Sequence, residues 1–179
     1  LLSGAGKADG DNAGQVTAME NMIAAGAKTI LITPSDSKAI IPAIKKALQW
    51  RTGVTELHAV RAAQALGSMT IPDGEKAGVA TALGAAFDLI TGVREVDNQM
   101  RIEFVRALGT LRHTSATPVL VRVMQNQSEN QHFLINRLAA RELGEIGDPE
   151  AVEPMIGALF QFAGGEGGVI VLFQGFKQR

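Results

Sequence analysis

The sequence predicts a mainly α-helical protein: a short α-solenoid of helix pairs preceded by a small α/β fragment of helix, strand and helix. Three observations carry that expectation. Across residues 55–162, apolar side chains recur at helical spacing and are interrupted only by Gly, Pro and Asx-type turns. Within that stretch Leu108-Gly109 returns as Leu143-Gly144, 35 residues later, a period of the kind solenoids show. Upstream, the apolar run Thr29-Ile30-Leu31-Ile32-Thr33 lies between two amphipathic helical patterns. The expected divisions are residues 1–50 for the α/β fragment, 51–163 for the repeats, and 164–179 for a Gly-rich hinge and apolar tail.

In the fragment, Val16, Met19, Met22 and Ile23 form the stripe of the first helix, and Gly26 stands where a left-handed C-cap is wanted. Residues 29–33 read as a strand buried on both faces. Pro34, Ser35, Asp36 and Ser37 supply turn and N-cap chemistry for a helix striped by Ile40, Ile41, Ile44, Ala47 and Leu48. Pro42 is tolerable there because it lies near the first turns. Residues 6–46, from Gly6-Lys7-Ala8-Asp9-Gly10-Asp11-Asn12 to Lys46, resemble part of the N-terminal lobe of periplasmic sugar-binding proteins of the ribose type. The resemblance implies a carrier that delivers sugar to an ABC-type transporter and a periplasmic location. None of the family's sugar-gripping residues maps onto this segment, and the chain turns helical after Trp50 where the family continues with another strand.

In the repeat region, the 35-residue offset also pairs Arg106 with Arg141, Leu111 with Ile146, Ala116 with Ala151, Leu120 with Met155 and Val121 with Ile156. Residues 139–156 resemble the bacterial HEAT-repeat consensus, through Ala139-Ala140-Arg141-Glu142-Leu143-Gly144 and Gly147-Asp148-Pro149-Glu150-Ala151-Val152. In that pattern Asp148 can cap, Pro149 suits the first helical position, and Arg141 lies along the inter-repeat surface. A weaker unit runs from Glu56 through Leu66 and Gly67, turns at Ile71-Pro72-Asp73-Gly74, and continues as a helix around residues 75–90. Together these make about three units, near the minimum for a stable array. The resemblance implies a protein-binding scaffold, cytoplasmic if the repeats govern its location.

Composition narrows the function classes. Lys plus Arg number 17 against 18 Asp plus Glu, and a net charge of -1 gives no electrostatic case for nucleic acid or an anionic membrane. There is no cysteine, which removes disulfides and thiolate chemistry. No apolar run approaches the roughly 20 residues of a membrane helix, and no leader precedes Leu1, so a soluble fragment or mature form is expected.

No catalytic residue, metal ligand or cofactor is expected. Asp9, Asp11 and Glu20 with Gly14 approach a calcium loop, but Ala13 spoils one ligand position and helix capping by Asp11 explains the same residues. Residues 3–8 lack a glycine and a hydroxyl that a phosphate loop requires. His58, His113 and His132 are scattered surface or turn residues, and Ser115 and Ser128 read as helix caps without an adjacent base.

The second helix of each pair is expected to line the surface that receives a protein partner. Arg122 and Asn126, their offset equivalents Gly157 and Gln161, and Glu153 one turn earlier share that face, which makes Arg122, Asn126, Glu153 and Gln161 the partner-contact candidates. Two other readings stay open: a fragment of a sugar carrier, or a chimera of unrelated pieces joined near residues 48–55. A homo-oligomer through the exposed strand is a further expectation. In the tail, Val171-Leu172-Phe173-Gln174-Gly175 resembles the core of a rhinovirus-protease cleavage tag, with Phe176 in place of proline. It is either a coincidence or a tag remnant.

Overall fold

A computed structural model describes residues 10–27, 30–32, 36–48, 56–129 and 131–162, and within them eight α-helices and two short 3-10 turns follow one another. Helix α1 (Asn12–Ala24) begins where the Asp11 carboxylate accepts the Gly14 backbone N–H at 2.9 Å, and the chain leaves it through Gly26 at φ +74°. Asp11 therefore serves the cap. Glu20, which a calcium loop would need as a ligand, pairs with Lys46 at 3.0 Å.

The expected strand does not form. Ile30, Leu31 and Ile32 have no regular structure, and Leu31 is 93% exposed while Ile30 packs on the core. A strand must satisfy its N–H and C=O groups through a neighbour, and no strand is present among the described residues. Among the described residues the α/β fragment is thus corrected to two helices, with no strand at residues 30–32 through which an oligomer could pair. Thr29, Thr33, Trp50, residues 3–8 and the tail 164–179 lie outside the described residues.

Helix α2 (Ser37–Leu48) starts at Asp36, whose carboxylate accepts the Lys38 N–H at 2.7 Å, and it accommodates Pro42 internally. Its buried stripe of Ile40, Ile41, Ile44 and Leu48 packs against α1, α3 (Glu56–Ser68) and α4 (Asp73–Asp88). Helices α3 and α4 are the weak first unit, joined at the Pro72 turn as the sequence indicates.

The 35-residue offset is structural from here on. Helices α5 (Glu95–Thr110) and α6 (Thr117–Gln125) flank a 3-10 turn at Thr114–Ala116; α7 (Phe133–Ile146) and α8 (Val152–Phe162) flank another at Pro149–Ala151. The caps of the two turns coincide in register. His113 Nδ1 accepts from the Ser115 N–H at 3.2 Å, and the Asp148 carboxylate accepts from the Glu150 N–H at 3.1 Å. Both units also leave their first helix in the left-handed region, through Gly147 at φ +71° and Arg112 at φ +45°. That conformation costs a non-glycine residue about 1–2 kcal/mol; Arg112 nonetheless reaches Glu145 of the following unit at 2.8 Å. Histidine, rather than the expected serine, is the cap at two starts: His113 before the 3-10 turn and His132 before α7, where Nδ1 accepts from Leu134 N–H. The side chain of His58 lies outside the described residues.

First helices stack directly, α3 on α5 and α5 on α7. Gly67 comes within ordinary contact of Ala107, and Gly109 meets Glu142 so closely that an added Cβ would lie 2.1 Å from its Oε2. Positions 107 and 142 are register equivalents, so one face of each first helix turns back onto the glycine of the unit before. The second layer is looser, since α4 meets the next unit through α5 and the 3-10 turn at Thr114–Ala116 more than through α6. A continuous core runs through the layers, with Leu66, Leu83, Phe104, Leu108, Leu120 and Leu143 all essentially inaccessible to solvent.

Candidate partner-binding groove

Beside the C-terminal ends of α4 and α6, an open groove of about 360 Å³ is lined by Phe87, Asp88, Ile90, Thr91, Arg101, Arg122, Val123, Asn126 and Ser128. Its floor is apolar, from the buried Phe87, Ile90 and Val123. Buried polar side chains from the next first helix hold both walls. Arg101 donates through one terminal nitrogen to the carbonyls of Ile90 at 2.7 Å and Gly92 at 2.8 Å, tying down the segment that leaves α4. Its register equivalent, Asn136 on α7, donates to the carbonyls of Met124 and Asn126 and so fixes the end of α6. Gln131 braces the same point by donating to Val123 O at 2.7 Å and to Asn136 Oδ1 at 3.1 Å.

Burial pulls the Arg101 guanidinium below its ordinary pKa, and the nearby Asp97 charge opposes that pull. The Asp97 carboxyl is itself held below the usual carboxylate range, first by its side-chain hydrogen bond from Arg94. Arg94 Nε donates to it at 2.9 Å and the Arg94 backbone N–H at 2.9 Å. Gly92 is required where the connecting segment crosses this carboxylate, because a Cβ there would sit 2.2 Å from Asp97 Oδ2.

The rim carries the one ion pair that spans the groove among the described residues: Arg122 of α6 donates to Asp88 at the end of α4. Both side chains are about half exposed, at 56% and 47%. Such a pair contributes about 0–1 kcal/mol, so its members can exchange one another for charges on an incoming partner at little cost. Among the described lining residues, no acid, base and nucleophile converge. Thr91 and Ser128 offer hydroxyls with no base placed against them among the described lining residues.

The structure brings Arg122 and Asn126 into this groove. Asn126 is committed internally, its Oδ1 accepting from Ser128 N–H at 2.9 Å and its Nδ2 donating to Gln131 at 3.2 Å. Glu153 is exposed on α8 and does not line the groove; Gln161 is in α8, with its side chain outside the described residues. Sequence reasoning missed Asp88, Arg101, Gln131 and Asn136. The offset could have found Arg101 and Asn136 as a pair, whereas the partnership of Asp88 with Arg122 depends on how two units sit together.

Residues 88–160 match the family model for HEAT repeats. The matched segment opens at Asp88, spans the α5–α6 pair, α7 and most of α8, and includes both ends of the rim ion pair. A second, shorter similarity is to the D-ribose/D-allose-binding protein of Pseudomonas aeruginosa, 42% identical over 48 residues, which cover 27% of this chain and 15% of that protein. No solved structure matches the chain. Outside the matched segment, α1, α2, α3 and residues 30–32 border a second, open cavity of about 390 Å³ lined by Met19, Ile23, Ile30, Ile44, Ala47 and Ala62 among others, with Arg61 as its charged lining residue. Walls of that kind offer few hydrogen-bonding groups for sugar hydroxyls. No helix among the described residues is long and apolar enough to cross a membrane.

Proposed function

We propose that the chain is a non-enzymatic protein-binding scaffold built on HEAT-type helix pairs, and that the groove between α4 and α6 is its contact face. The observation that carries this reading is the exposed Asp88–Arg122 pair standing over an apolar floor whose walls are fixed from below by Arg101 and Asn136. Rigid walls let a partner bind without first ordering the site, and arginine in such a setting is a frequent energetic anchor.

Reversing the rim charge with Arg122→Glu places two carboxylates together at the groove mouth. It is expected to leave thermal stability nearly unchanged, because the pair is exposed. Capture of the partner from lysate should fall about tenfold or more, the loss expected for a contact worth upward of about 1.4 kcal/mol. Quantitative affinity capture with wild-type and variant baits checks this. Equal enrichment by both baits, or none by either, counts against the groove.

A second reading, a fragment of a sugar carrier, rests on the D-ribose/D-allose-binding relative. Titration calorimetry with pentoses and hexoses separates the two: the scaffold reading expects no heat, and micromolar binding would favour the carrier.

A further inference from the structure

The cavity beside α1, α2 and α3 follows from how these helices pack. Helix α2 packs against both α1 and α3, whereas α1 and α3 barely touch each other, and a gap bordered by all three remains. The sequence leaves it unfilled from the α3 side. Arg61 and Ala65 stand one turn apart on that helix, and with Ala62 they offer two methyl groups where a tightly packed helix pair would place larger side chains. Met19 and Ile23, one turn apart on α1, and Ile44 of α2 line the gap with long apolar side chains. The resulting volume of about 390 Å³ falls within the range of pockets that hold small molecules.

The lining is apolar except for Arg61, and no Asp or Glu borders the cavity among the described residues. Arg61 is exposed and therefore stands at the rim. Its Nη1 donates to Gln64 Oε1 at 3.0 Å on the same helix, and it has no ion pair among the described residues. A guanidinium carries five N–H donors, of which Gln64 engages one. Leu31 borders the same cavity with 93% of its surface in water, apolar area that a bound hydrocarbon would cover. These surroundings select a ligand with an apolar body and one anionic end. A sugar would bury hydroxyls without partners, and a neutral hydrocarbon would leave the cation unused. A carboxylate matches the planar fork of the guanidinium with two parallel hydrogen bonds.

We propose that this cavity binds a small apolar monocarboxylate of the medium-chain fatty acid kind, its chain among Met19, Ile23 and Ile44 and its carboxylate on Arg61. The site shares no residue with the α4–α6 groove, so this inference and the scaffold reading can fail separately.

Titration calorimetry of the full chain with decanoate, held below its micelle concentration, is expected to show saturable binding. Shortening the ligand to octanoate and hexanoate should weaken binding about two- to fourfold per methylene removed, the effect of burying that group. Decanol, which lacks the anion, should bind about tenfold more weakly than decanoate. Arg61→Gln, at an exposed position, should erase that preference for acid over alcohol without moving the melting temperature. Ala65→Phe fills the cavity and should abolish binding of both ligands while the far-ultraviolet helical signal persists; where that signal is lost, the Arg61→Gln comparison decides. The proposal is overturned by the absence of saturable binding of decanoate, by affinity indifferent to chain length, or by decanol binding as tightly as decanoate. It is equally overturned if Arg61→Gln keeps the preference for the acid, or if a helical Ala65→Phe chain still binds.

Discussion

Phe104→Ala is expected to lower the unfolding free energy by about 3–5 kcal/mol, the largest effect of any single truncation in this fold. Phe104 is wholly inaccessible to solvent in α5, the helix that packs on α3 before it and α7 after it. Removing its ring loses the transfer energy of the buried carbons and leaves a cavity between helices that cannot fully collapse, because both neighbours are pinned by other contacts. In an array stabilised by contacts between adjacent units, the loss is shared by the units on either side. Urea denaturation followed by circular dichroism measures it as a fall in the midpoint at nearly constant slope. Leu89→Ala, at a position 51% exposed, serves as the control and should change stability by no more than about 0.5 kcal/mol. A Phe104 variant as stable as that control would mean that α5 is not the centre of a packed stack.

Asp148→Ala should cost about 2–4 kcal/mol, from two contributions with different origins. Its carboxylate caps the second 3-10 turn through Glu150 N–H, a role worth about 1 kcal/mol. It also accepts the Thr117 hydroxyl of the preceding unit at 2.7 Å, and both residues are buried, at 8% and 3% exposure. Deleting the acceptor leaves that hydroxyl unpaired, a penalty of about 1–3 kcal/mol. Thr117→Val removes the inter-unit bond but keeps the cap, so a double-mutant cycle isolates the coupling, expected at about 1 kcal/mol or more. Additive losses would show that the two units are not joined through this bond.

Much of the repeat architecture is legible in particular residues. Gly147-Asp148-Pro149 names its own geometry: a left-handed exit, a cap and the first residue of a turn, and all three are present. The offset read from Leu108 and Leu143 extends to elements that periodicity does not reveal, including the 3-10 turns and the use of His113 in the place of Asp148. The strand at residues 29–33 was misread because β-branched residues report only a local preference, whereas a strand exists only when a neighbour completes its hydrogen bonds. Ile30 instead packs on the core. The site was legible to a lesser degree. Arg122 stood out by its register, but the groove is built where the ends of α4 and α6 come together, with Asp88 34 residues away from its partner. Asn126 looked like a surface amide because nothing in sequence announces that Ser128, Gln131 and Asn136 fold back onto it.

Backbone chemical shifts and amide exchange of the full chain, assigned by nuclear magnetic resonance, bear most directly on the stack of helix pairs. Residues 95–110, 117–125, 133–146 and 152–162 should give helical shifts, with the slowest exchange at Leu108, Leu120 and Leu143, and Ile30 to Ile32 should give neither strand shifts nor protection. Extended shifts with slow exchange anywhere between residues 95 and 162 would contradict the stacked-helix account and the groove that rests on it.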